Sequence, residues 1–88
     1  MRSDELNRCR VCGLALAEPP WGADGRSPSY EHCPCCGVEF GYSDATQLAA
    51  QRSREAWLHN GANWSEPSER PCDWELDAQL ENVPADFR

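Results

Sequence analysis

Two CxxCG motifs with 20 residues between their inner cysteines, a stretch with both start and stop signals of a helix, and leucines four apart near the C-terminus predict a small metal-bound α+β fold. The expected order is a pair of cysteine knuckles, one main helix and a short C-terminal helix. The chain has 88 residues, enough for one domain spanning 1–88. A chain of that length buries only about 60–65% of the surface its unfolded form exposes, so its core calls for a staple. Six cysteines supply the candidates. Composition divides the chain into a metal-binding ribbon, 1–42, with five of the six cysteines, a helical segment, 43–61, and an acidic C-terminal segment, 62–88.

The knuckles come first. Cys9-Arg10-Val11-Cys12-Gly13 and Cys33-Pro34-Cys35-Cys36-Gly37 together read C-x2-C-x20-C-x2-C. Thiolates spaced this way curl around one ion, and Gly after the second Cys tolerates the positive φ of such a turn. Two turns complete a shell of four sulfurs that leaves no position for water, as in a structural zinc site. Cys9, Cys12, Cys33 and Cys36 are therefore the expected ligands of one Zn(2+) per chain. Cys35 stands inside the second turn, too close to Cys33 to chelate with it; it reads as a small buried thiol, with redox or exchange chemistry as the sharper alternative. His32 is an accessory candidate that replaces a thiolate or hydrogen-bonds to the shell, beside the plainer reading of an ordinary polar residue. Cys72, between Pro71 and Asp73, has no partner at ligand spacing. Leu14 to Ala17 and Ser29 to His32, separated by the turn-rich run Glu18 to Gly25, suggest short strands of a loop-rich β ribbon.

The main helix follows. Asp44 caps its first turn in this reading, with Gln47 three residues on completing a capping box. His59 suits the negative end of the helix dipole, and Asn60-Gly61 supplies a left-handed terminator. Ala45, Ala49, Ser53, Ala56 and Trp57 share one broad face, whereas Leu48 and Leu58 lie off it and need another neighbour or a partner. Asp73 is the expected cap of a short helix ending at Leu80, with Leu76 and Leu80 paired along one side.

Charge and residue inventory narrow the function classes. With 15 acids against 8 bases, a net charge of −7 and scattered arginines, the chain offers no footprint for nucleic acid and disfavours anionic membranes. No apolar run is long enough to span a membrane, and Met1 to Asn7 lacks the apolar stretch of a signal peptide, so a cytoplasmic protein is expected. In a reducing compartment such cysteines are read as metal ligands before disulfides. Only two histidines, no nucleophile motif and a closed shell argue against an enzyme.

At Ser27-Pro28-Ser29-Tyr30-Glu31-His32-Cys33-Pro34-Cys35-Cys36-Gly37-Val38-Glu39-Phe40-Gly41-Tyr42-Ser43-Asp44 and again at Arg54-Glu55-Ala56-Trp57-Leu58-His59-Asn60-Gly61-Ala62-Asn63-Trp64, the chain resembles the cysteine-rich CPCC family of small bacterial proteins. The resemblance covers about two thirds of the chain and departs at Ser43, where the family often has an acid. It implies a zinc-ribbon protein and, for some members, toxin-immunity gene neighbourhoods. The cysteine pattern also resembles rubredoxin, in which four sulfurs hold iron and cycle one electron. Here the segment between the knuckles is short for that family and Cys35 departs from its pattern.

The favoured expectation is a zinc-stabilised binding or adaptor protein. Tryptophan is both a core former and an interface anchor, and the chain has four. Residues 66–88 carry seven acids against Arg70 and Arg88. Trp64, Trp74, Glu75 and Asp77 form the candidate contact surface for a basic protein partner, with immunity toward a basic toxin as the specific form. The alternative is a rubredoxin-like iron electron carrier.

Overall fold

The two cysteine turns are built alike, and that likeness sets the frame on which the helices sit. In the computed structural model, which describes residues 3–88, Gly13 N–H donates to the Cys9 carbonyl at 3.0 Å and Cys9 N–H to the Leu14 carbonyl at 3.0 Å. The second turn repeats both bonds, from Gly37 to Cys33 and from Cys33 to Val38, each at 2.9 Å. An antiparallel bridge closes each turn, Arg8 with Ala15 and His32 with Glu39. Gly13 at φ +84° and Gly37 at φ +80° occupy the left-handed region that a Cβ would strain. Met1 and Arg2, counted with the ribbon and with the stretch lacking a leader's apolar run, lie outside the described residues.

Among the described residues these bridges are the β pairing, and the expected ribbon strands do not extend beyond them. Pro19, Pro20 and Pro28 withhold ladder donors, and the backbone between them folds instead into turns, Gly22 bonding back to Pro19 and Gly25 to Gly22. A short helix α1, Ser3–Leu6, precedes the first turn.

The main helix, α2, is Gln47–His59. Its cap is Thr46, whose Oγ1 accepts from Ala49 N–H at 3.1 Å. This corrects the assignment to Asp44. The Asp44 carboxylate is fully buried and accepts from the Trp21 indole N–H and the Gly41 N–H, both at 2.8 Å. Gln47 likewise forms no capping box; its amide donates to the Arg88 main-chain oxygen. The C-terminal signals act as expected, with His59 last in the helix, Asn60 at the cap and Gly61 at φ +101°.

The buried stripe of α2 is Ala50 and Trp57, with Ser53 and Arg54 half-buried beside it. Ala45 and Ala56, expected on that stripe, are exposed. The helix is rotated because Arg54 spends its donors inward. Its Nε reaches the Val11 carbonyl at 2.6 Å, and its Nη2 reaches those of Arg10 at 3.0 Å and Phe87 at 2.6 Å. Leu48 and Leu58 are exposed.

After α2 come a 3-10 turn, Pro67–Glu69, helix α3, Leu76–Leu80, and a second 3-10 turn, Ala85–Phe87. Asp73 does not cap α3; the cap position is Glu75, with no side-chain bond. Leu76 and Leu80 pack together with Leu14, Leu16 and Phe87 against the buried cluster around the cysteines. The radius of gyration, 11.7 Å, agrees with the roughly 12 Å of a compact chain of this length. No helix among the described residues is long and apolar enough to cross a membrane.

The two carboxyl and hydroxyl roles separate by mutation. Thr46→Ala should cost about 1 kcal/mol, the usual worth of a cap. Asp44→Asn should cost about 3 kcal/mol, because it removes a buried charge that two donors and the nearby Arg10 depend on. Chemical denaturation of both variants checks the order, and the reverse order would return the cap to Asp44.

Candidate metal centre

The matching turns bring Cys9, Cys12, Cys33 and Cys36 to one point, with all four Sγ atoms within 4.8 Å of one another. Cys9 lies 3.7 Å from Cys36, and Cys12 lies 3.7 Å from Cys33. A regular tetrahedron with metal–sulfur bonds of about 2.3 Å has edges of about 3.8 Å, so these two edges already have the spacing of a bound shell. No disulfide joins them. The donor set suits soft or borderline ions, zinc and iron among them.

As thiols, Cys12, Cys33 and Cys36 perturb one another. Cys33 is held far below the ordinary thiol range, chiefly by a hydrogen bond from Cys12 and then by those from Cys36 and Cys9. Cys12 is held far above it by its bonds to Cys33, Cys35, Cys36 and Cys9, and then by burial. Cys36 is also raised: its bond with Cys12 favours the thiolate, but those with Cys33 and Cys9, together with burial, outweigh it. A divalent cation between the sulfurs releases protons as it binds.

The surroundings are cationic on one side and polar on the other. Burial lowers the pKa of Arg54, while Cys9, Cys12 and Cys36 pull it back up; it stays charged and faces the sulfurs across the carbonyls it binds. Arg10, inside the first turn, is buried between the Trp21 ring at 4.0 Å and the Phe87 ring at 4.1 Å. It donates to the Gly25 and Asp44 carbonyls. Gln79 of α3 donates to the Cys12 carbonyl at 3.2 Å and to the Cys35 sulfur at 3.3 Å, and its oxygen accepts from the Trp74 indole at 2.7 Å. Gly13 packs so tightly on this strand of contacts that a Cβ there would stand 2.4 Å from the Gln79 carbonyl oxygen. Sequence reasoning missed Arg10, Arg54 and Gln79. Their one signal is that a long polar side chain on an inward face must find partners, and periodicity does not name them.

Cys35 is fully buried beside the centre and is not among the four converging sulfurs. Its thiol is lowered first by a bond from Cys12 and also by the one from Gln79, against burial and the charge of Cys33. His32 is turned to solvent, its Nε2 at 3.9 Å from a Glu39 oxygen, and it is not among the converging donors. Cys72 is exposed. Of the candidate contact residues, Trp64 is buried, which makes it a core residue, and it packs edge-on against half-buried Trp74 at 5.6 Å. Glu75 and Asp77 are exposed.

Two proteins of Bacillus subtilis (strain 168) are similar to this chain. The uncharacterized protein YozI is 29% identical over 83 residues, covering 76% of this chain and 69% of its own length. The uncharacterized protein YoaQ is 30% identical over 78 residues, covering 72% of this chain and 66% of its own length. No family model matches, and no solved structure matches.

Substitution by serine tests the ligand set. At Cys9, Cys12, Cys33 or Cys36 it should lower the metal retained through purification at least tenfold, whereas Cys35→Ser and Cys72→Ser should keep one ion per chain. Elemental analysis of the six proteins reads this directly. Equal loss from all six would contradict the assignment.

Proposed function

We propose that the chain is a zinc-stabilised binding protein that acts through protein contacts, with a pair of zinc-ribbon knuckles as scaffold and the acidic C-terminal segment as contact surface. The observation that carries this reading is the placement of the acids. Glu66, Glu69, Asp73, Glu75, Asp77, Glu81 and Asp86 are all exposed, while the residues between them, Trp74, Leu76, Gln79 and Val83, are turned inward. The segment presents negative charge on a backbone tied to the cysteine turns. Such a surface attracts and orients a basic partner.

The two hydrogen-bonded turns, each closed by Gly and one bridge, support the knuckle reading. The CPCC resemblance supports the same assignment and gives the specific form of the proposal, an immunity protein that covers the basic surface of a toxin. Reduced thiols suit a cytoplasmic setting. A shell of four sulfurs with no open position supports a structural role for the ion rather than a catalytic one. Trp74 and its neighbours Glu75 and Asp77 are the centre of the proposed contact.

The rubredoxin-like electron carrier is the second reading, favoured by one feature: Cys36 is the ligand not fully buried, an edge through which an electron could pass. Purified protein separates the two. A colourless protein with one zinc per chain supports the scaffold, and a red protein that bleaches on reduction supports iron.

Metal-loaded chain used as bait in extract of its own host should retain a basic protein at low salt and lose it as ionic strength rises toward about 0.5 M. Glu75→Gln combined with Asp77→Asn should weaken that complex at least fivefold without changing metal content. Retention of no basic protein at low salt would defeat the proposal.

A further inference from the structure

Three of the four shell sulfurs, those of Cys9, Cys12 and Cys33, belong to fully buried residues, whereas Cys36 is only half-buried. Cys36 forms part of the wall of a groove of about 560 Å³ beside α2, and no other cysteine lines it. The wall of the groove is mixed, with His32, Ser53 and Asn63 beside apolar Val11, Val38 and Trp57. Cys36 is thus the one residue of the four-cysteine centre on the wall of this groove. Cys36 has Cys9 3.7 Å away on the opposite turn, and Cys12 and Cys33 form the other pair at 3.7 Å.

We propose that Cys36 is an oxidant-modification site: a peroxide reaches it through this groove, Cys9 resolves the product as a disulfide, and the metal leaves. The inference rests on the four-sulfur metal reading above. The Cys36 thiolate attacks one peroxide oxygen, the O–O bond breaks, and the departing hydroxide takes a proton from solvent to leave as water, giving a sulfenic acid. The Cys9 thiolate then attacks the Cys36 sulfur. The S–S bond forms, the S–O bond breaks, and the second oxygen also leaves as water after protonation. Two thiolates supply the two electrons that the peroxide accepts. The ion is left with Cys12 and Cys33 alone and loses its closed shell. Cys35 does not line the groove, and it is Cys9 whose sulfur is paired with that of Cys36 at 3.7 Å.

The test uses Cys72→Ser protein, which removes the exposed thiol, with one ion per chain verified beforehand. Hydrogen peroxide is added in substoichiometric steps, released metal is read with a chromogenic chelator, and the first disulfide is mapped by peptide mass spectrometry. Cleavage after Arg10 separates Cys9 from Cys12, and fragmentation of the peptide holding Cys33, Cys35 and Cys36 identifies the joined residue. The expected result is one ion released per peroxide consumed, with Cys9 joined to Cys36 first. A first disulfide between Cys12 and Cys33, between Cys33 and Cys36 or to Cys35 would overturn the inference, as would metal retained after Cys36 has reacted. Protein that purifies without any ion would overturn the metal reading itself, and this inference with it, before peroxide is added.

Discussion

Four sulfurs held within 4.8 Å of one another join positions as far apart as Cys9 and Cys36, and the rest of the chain is arranged around that closure. Without an ion, the close thiols of Cys12 and Cys33 are pushed in opposite directions by the hydrogen bonds between them. A divalent ion bound between them would take the place of those protons. Structural zinc contributes on the order of 10–16 kcal/mol in small peptides at neutral pH, comparable to the whole stability of a typical domain. The apolar cluster packs on the cysteines themselves, so the four-cysteine site forms part of the core of this short chain.

Arginine carries the closure outward. Arg54 ties α2 to the first turn and to Phe87, and Arg10 is clamped between Trp21 and Phe87 while the Asp44 carboxylate holds Trp21 in place. Gln79 does for α3 what Arg54 does for α2. Of the four clustered cysteines, Cys9, Cys12 and Cys33 are fully buried, and Cys36 lies on the wall of the groove beside α2.

The parts of this arrangement legible in the sequence are those fixed over a few residues. The four cysteines could be picked out because a chelating turn needs a local spacing and a Gly after it, and the end of α2 could be placed because Asn60-Gly61 stops a helix on its own. What failed depends on distant partners. Asp44 and Thr46 are both good caps, and only the donors of Trp21 and Gly41 claim Asp44 for the interior. The alanine stripe of α2 was misplaced because a charged residue, Arg54, rather than an apolar one, decides which side faces in. Trp64 and Trp74 carry no mark in the sequence that separates core from contact surface; their edge-on packing does.

The central claim is that the ion organises the fold, and removal of the ion tests it most directly. A chelator strong enough to strip the protein, with loss of metal verified, should collapse near-ultraviolet circular dichroism from the tryptophans and shift the amide resonances of residues 1–42 to the narrow random-coil range. Restoring one equivalent of zinc should recover both. Spectra that remain unchanged after the metal has demonstrably left would contradict the account.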